Sequence, residues 1–443
     1  MKLILGLLFL SVATLNASPF AYVVNNTDNT VSIIDTATNT VVVSALAGLG
    51  TTLDSIVSSP SGTMMYVLSK TNNTVTAINT SSNTISGSPI PIGGTLPQGM
   101  VITPDGSKIY TVNLTSENVS VINTTTMTVV TLIPVGTFPA GIGITLDGSK
   151  VYAANTGDHS LTVISTATNT AIGTINTGNT PTNFAFTSNT GFVTNQTDNT
   201  VTVFDTTLDM MIGTITLGGS NVLDVKVTPN GQFLYVLNQT SPGVVSVYNT
   251  TNPFASAASP ITIGNVPTDL AITLDGSKVY IANQFDGTVS IINTATNTQA
   301  AGSPISLAPN INPTNLAITQ DSLTVYVTDM GSNAVSAIQT SSETVIATPT
   351  VGNSPTVITI QTIPTPTPTP SPSDATAIAQ QQLTSNLTQL SNQINNTFNS
   401  LSSGTPAASN GAIPSSTTPS ITGPGNYSGI PVINMGVFNA GCY

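Results

Sequence analysis

An aromatic residue recurs along this chain at Tyr22, Tyr66, Tyr110, Tyr152, Phe192, Tyr235, Tyr280 and Tyr326, in steps of 44, 44, 42, 40, 43, 45 and 46 residues. The surrounding words repeat with it. Residues 274–298 read LDGSKVYIANQFDGTVSIINTATNT, and near copies occupy 103–122, 145–170 and 191–206. A unit of this length cannot bury its apolar residues alone, so it must stack on its neighbours. A period in the low forties with four strand-like segments per unit predicts a β-propeller blade.

Residues 267–307 read as one such blade. A short apolar strand (269–273) is followed by a tight Asp-Gly turn (274–277), because Asp and Gly supply turn geometry that other residues resist. A second strand covers 278–283, Asp286-Gly287 marks another hairpin, and a third strand covers 288–292. After the polar turn 293–297 comes a weak last strand ending near 305–307. Pro313 opens the next blade, where a missing N–H does no harm. The first copy lacks an innermost strand ahead of Tyr22, whereas PTVITI at 355–360 has no blade after it. Pairing the two closes the ring and removes both free sheet edges. The expected fold is all-β, an eight-bladed propeller of four-stranded blades closed by its N- and C-terminal strands. Seven blades is the alternative if one copy is degenerate.

Tyr-Val-Val-Asn at 22–25 followed by NTVSIIDTATNT at 29–40 resembles the YVTN-type β-propeller repeat family. The resemblance covers roughly residues 20–362. It implies the propeller fold and a setting among surface-layer proteins and secreted or periplasmic propellers. The eight anchors depart from the seven blades usual for that family's best-described member.

Outside the repeats the chain changes regime. Residues 1–17 read as a signal peptide, with Lys2, an apolar run at 3–12 and a cleavage site at 15–17. The run is too short for an ordinary membrane span, so no transmembrane segment is expected after its removal. The propeller is assigned to 18–362. A Pro/Thr linker (363–373) favours extended polyproline II. Residues 374–402 read as an amphipathic helix. Leu383, Leu387, Leu390, Ile394 and Leu401 form a heptad seam, suited to an oligomerising stalk or to a lone docked helix. The tail 403–443 is low in complexity, with an apolar end and one cysteine, Cys442, read as an intermolecular disulfide or a free thiol. Twelve Asn-x-Ser/Thr sequons follow the signal, the number that chance gives at this content of Asn, Ser and Thr.

Charge is scarce: 6 lysines, no arginine and 18 acids, for a net −12. That argues against nucleic acid, which requires a basic face. One histidine and one cysteine cannot supply the usual zinc or haem ligands. His159 lies in an Asp-His-Ser hairpin, a slot held by Asp198-Asn199-Thr200 and Asp286-Gly287-Thr288 in other copies, so it reads as a turn residue and not as catalytic. The turns joining second to third strands share a face with the blade-to-blade loops. That face would gather Asp28, Glu117, Asp158, Asp198, Asp286 and Asp329, with Asp54, Asp224 and Asp269 heading innermost strands. Asp54, Asp224 and Asp269 are the metal candidates, calcium being the ion that carboxylates and carbonyls suit. The other reading is solvated hairpin acids, with Lys226 paired to Asp224 along one strand. On the opposite face Asp105/Lys108, Asp147/Lys150 and Asp275/Lys278 are expected to pair across their turns. No other cofactor is expected. The sequence reading is an exported, non-enzymatic surface protein, structural or adhesive, with protein or cell-surface partners and a secreted, cell-surface or periplasmic location. Its alternatives are a propeller binding a glycan, peptide or cation, and a lactonase-like or oxidoreductase-like enzyme.

Overall fold

Runs of Val, Ile, Tyr and Thr bounded by Asx- and Gly-containing turns form strands of about six residues, and the strands assemble into eight antiparallel sheets. This is the expected eight-bladed propeller, seen in a computed structural model that describes residues 19–219, 221–307 and 311–363. The signal peptide, linker, helical seam and Cys442 lie outside the described residues.

The closing blade is composite. Pro355–Ile360 is its innermost strand and pairs antiparallel with Phe20–Asn25, setting Ala21 opposite Ile360 and Tyr22 opposite Thr359. Thr30–Asp35 and Thr40–Leu46 complete that sheet. In two blades the outer strand is broken: Asn252–Ser256 with Ile261–Thr262, and Thr298–Gln299 with Ile305–Ser306.

The core lies between blades. Second and third strands are buried on both faces, as in Lys278–Asn283 and Thr288–Asn293, whereas the outer strand Thr128–Pro134 alternates. Each apolar cluster joins neighbours: Tyr280 and Ile291 pack with Val325 and Val327 of the following blade. Tyr326 and Val335 pack with Ala21 and Ile34 across the closure. The repeating aromatics are buried, and several tyrosines add a polar latch. Tyr22, Tyr110 and Tyr152 donate to Asn83, Asn169 and Asp209 at 2.6, 2.7 and 2.9 Å, each acceptor lying in the last turn of the next blade. Tyr326 donates to Asn39 and so carries the latch across the closure.

The expected lysine pairs within turns do not form. Lys150 reaches Asp209 at 2.7 Å and Lys278 reaches Glu343 at 2.7 Å, both in the next blade. Lys108 donates to the Thr166 carbonyl and to Asn169. Asp105, Asp147 and Asp275 instead accept from the backbone N–H and hydroxyl of the serine two residues on, which shapes the turn.

Candidate functional site

Four of the acids on the blade-junction face are hydrogen-bonded to the loops beside them. Asp28, Asp158, Asp198 and Asp286 each take the backbone N–H of a blade-to-blade loop on one oxygen and a side chain of the same loop residue on the other, at 2.5–2.9 Å. These bonds hold the Asp28 and Asp158 carboxyls below the usual carboxylate range. The next residue of these turns latches the following junction, as Asn29 does for Thr52 and Asn199 for Val222. His159 occupies this slot with φ 53, so it is a turn residue in the left-handed region, as its neighbours in the repeat implied. Among the described residues no group of three or more His, Cys, Asp and Glu is placed to hold a metal ion.

The innermost strands separate the three metal candidates. A bulge after the first residue of these strands puts one extra residue against the second strand. In Leu53–Ser58 that extra residue is Asp54, which turns to Lys70 at 2.7 Å. In Val222–Val227 and Pro267–Ile272 the extra residues are Leu223 and Thr268, so Asp224 and Asp269 fall in the next, paired position. Asp54 is thus out of phase with the other two by one residue, and a one-residue offset changes the face.

The position two residues after the first of each innermost strand runs Ser55, Gly99, Gly141, Asn183, Asp224, Asp269, Asn315 and Val357 around the ring; at Asn183 and Asn315 the ladder resumes one residue later, at Phe184 and Leu316. Four successive blades make it a polar arc. Side chains here reach the backbone of the next innermost strand. Asn183 Nδ2 donates to the Leu223 carbonyl (2.6 Å), the Leu316 N–H donates to Asp269 Oδ2 (2.8 Å), and the Ile358 N–H donates to Asn315 Oδ1 (2.9 Å). They satisfy backbone groups that no fifth strand covers at the centre of the ring. On the opposite side small residues allow close approach: a Cβ on Gly141 would fall on the Thr182 carbonyl oxygen.

Lys226 stands two residues beyond Asp224 on the same strand. Its Nζ lies 2.6 Å from Asp224 Oδ2; the Asp224 side chain is 9% exposed and that of Lys226 42%. Lost hydration opposes the ammonium charge, but Asp224 and then Asp269 more than offset it, and the Lys226 pKa lies above the usual value. Asp269 receives Asn315 Nδ2 at 2.7 Å as well as the Leu316 N–H. Burial pushes its carboxyl up to about 7; Lys226 pulls it down and Asp224 pushes it further up. Lys226, Asp269 and Asn315 line a cavity of about 490 Å³ against Leu270, Leu316 and Ile358. The site therefore offers one carboxyl that exchanges a proton near neutrality, beside one fixed cation.

From sequence Asp224 and Asp269 are metal candidates or, in the other reading, hairpin acids with Lys226 paired to Asp224; that pair is present, whereas Asn183, Asn315 and the nearness of Lys226 to Asp269 are not anticipated. Aligning the innermost strands on the bulge exposes the run Asn-Asp-Asp-Asn, a signal present in the sequence.

Residues 12–132 match a family model described as lactonase, 7-bladed beta-propeller. No curated protein matches the chain. Among solved structures the chain is similar to dihydro-heme d1 dehydrogenase NirN, with a TM-score of 0.62 and 14% identity over 78% of each chain. It is similar to hydrazine synthase of Kuenenia stuttgartiensis, with a TM-score of 0.54 and 20% identity over 66% of this chain and 98% of that one. A putative 6-phosphogluconolactonase from Bacteroides fragilis gives a TM-score of 0.51 and 16% identity over 67% of this chain and 97% of that one. These likenesses are of fold, and the present ring has eight blades. The lactonase match, beside propellers with enzyme names, corrects two expectations: that of a non-enzymatic surface or adhesion protein, and that of no enzymatic activity.

Proposed function

We propose that the chain is a ligand-binding propeller of lactonase type, with its site at Asp224, Lys226, Asp269 and Asn315. The observation that carries this reading is the single carboxyl poised near neutrality beside a lysine on the wall of a cavity. The Asp269 carboxylate takes a proton from water, and the hydroxide formed attacks the lactone carbonyl carbon. The Lys226 ammonium steadies the oxyanion. The ring C–O bond then breaks, and the leaving oxygen regains its proton from Asp269, giving a hydroxy acid. Asp224 holds Lys226 charged and in place, and Asn315 orients Asp269.

The reading is tested by following acid release from δ-valerolactone in a pH-stat. The rate should rise as pH increases through about 7 and then level off, because Asp269 acts as a base only once deprotonated. Asp269→Asn and Lys226→Met should each lower the rate by about 10²-fold or more. An Asp269→Asn rate equal to that of the unaltered protein overturns the proposal. A binding module without turnover is the second reading, favoured by the two hydrogen bonds that already occupy Asp269 Oδ2. It predicts that the lactone is bound and stays intact.

Two sequence expectations stand as further proposals. The repeats are of YVTN type, supported by the recurring Tyr and the buried Asn that ends the same strand. The protein is exported through residues 1–17, which N-terminal sequencing of the protein released by its host would test.

A further inference from the structure

The cavity wall carries its charged and apolar residues unevenly. Around Lys226, Asp269 and Asn315 it is built from Val227, Ala271, Ile272 and Val357, and its lip is formed by Pro229 and Leu274 in the turns that follow two innermost strands. Leu274 is 51% exposed there, a large apolar side chain left in water at the mouth. The uncharged polar side chains of the wall are already engaged within the protein. Asn315 uses its Nδ2 on Asp269 and its Oδ1 on the Ile358 N–H, and Thr359 Oγ1 donates to the Ile56 carbonyl at 3.0 Å. An anionic substituent fares no better. The chain has no arginine, and Lys226, the one cation on the innermost strands, lies 2.6 Å from Asp224 and is committed to the lactone oxygen, which leaves no second cation there for an anionic substituent.

Resting on the hydrolytic reading above, we infer that the substrate class is an uncharged lactone carrying an alkyl or acyl substituent. The ring lies at Lys226 and Asp269 and the apolar arm runs along Val227 and Ile272 to Leu274. A bare, polyhydroxylated or phosphorylated sugar lactone is the disfavoured class. A buried hydrocarbon arm is recognised by the area it removes from water, without hydrogen bonds.

The test uses the full chain with three δ-lactones: δ-valerolactone, its 5-pentyl derivative δ-decalactone, and glucono-δ-lactone. Hydrolysis is followed by pH-stat and binding by calorimetry. The value of kcat/KM should rise from δ-valerolactone to δ-decalactone by roughly fourfold per methylene placed against the wall, and glucono-δ-lactone should be the poorest. Leu274→Ser should shrink the gain on δ-decalactone. Leu323→Ser, at an exposed leucine in another turn away from the cavity, should leave that gain intact. Turnover of glucono-δ-lactone equal to or above that of δ-decalactone overturns the inference and leaves the hydrolytic reading standing. Tight binding of δ-decalactone without turnover overturns the hydrolytic reading and keeps the apolar-arm specificity. Absence of both binding and turnover overturns both.

Discussion

Asp329 ends the second strand of its blade, where six blades have asparagine and one has serine. In the closing blade, for example, Asn25 donates from Nδ2 to Ser32 Oγ at 2.9 Å. An ionised Asp329 can only accept there, and Ser336 Oγ donates to it at 2.6 Å. It is 1% exposed, and burial raises its carboxyl to about 6 from an ordinary 3.8. Between those values the folded chain holds a proton that the unfolded chain has released. Stability from this group is therefore full below about pH 4 and is lost as pH rises through about 6. Asp329→Asn should thus stabilise the protein by about 3 kcal/mol at pH 8 and by little at pH 4, which paired urea titrations would read. Equal effects at both pH values would sink this assignment. The same strand-end position bears on modification. The sequons at Asn25, Asn113, Asn195 and Asn238 place their asparagine on buried strand ends, so glycan attachment at those four is excluded in the folded protein.

At the scale of the element, the innermost strand decides both packing and chemistry. Gly141 lies so close to the neighbouring innermost strand that a methyl group would meet the Thr182 backbone, and Gly143 faces the Phe184 and Phe186 rings. Gly141→Ala should cost about 2 kcal/mol or more, because backbone must move to admit the methyl. Ala at Gly218, with open space around its Cβ, should cost far less. Thermal unfolding of the two variants compares them directly. Most of this element was legible from sequence: the strand pattern, the opening proline and the small residues along one side all appear in the repeat. The phase introduced by the bulge was not, and phase separates Asp54 from Asp224 and Asp269. Lys150 likewise has Asp147 three residues away in sequence, yet it bonds to Asp209, 59 residues on, because successive blades put those side chains face to face. Nearness along the chain was a poor guide wherever the partner belonged to the next blade.

For the whole molecule, the number of blades and the manner of closure followed from counting: eight aromatics, one missing innermost strand and one spare. The site on the channel wall did not follow, since it depends on which blades stand side by side around the axis. Closure predicts a cooperative dependence on the last strand. A chain stopped at Ser354 leaves Phe20–Asn25 as an open edge and removes Ile358, which is buried in the cluster spanning the seam. It should lose the single sharp unfolding transition that a chain ending at residue 363 keeps, and it should self-associate through the open edge on size-exclusion chromatography. Unchanged melting of the shorter chain would remove the closing strand from its assigned role.

The seam also fixes how the ring answers a pull. Phe20 and Gln361 are neighbours, joined by the Gln361 N–H donating to the Phe20 carbonyl at 2.8 Å, and the two strands run antiparallel from that point. Tension that draws these two residues apart therefore loads the ladder one rung at a time, as a zip is opened, instead of shearing all rungs together. Held by both ends, the propeller is mechanically weak and opens at its seam.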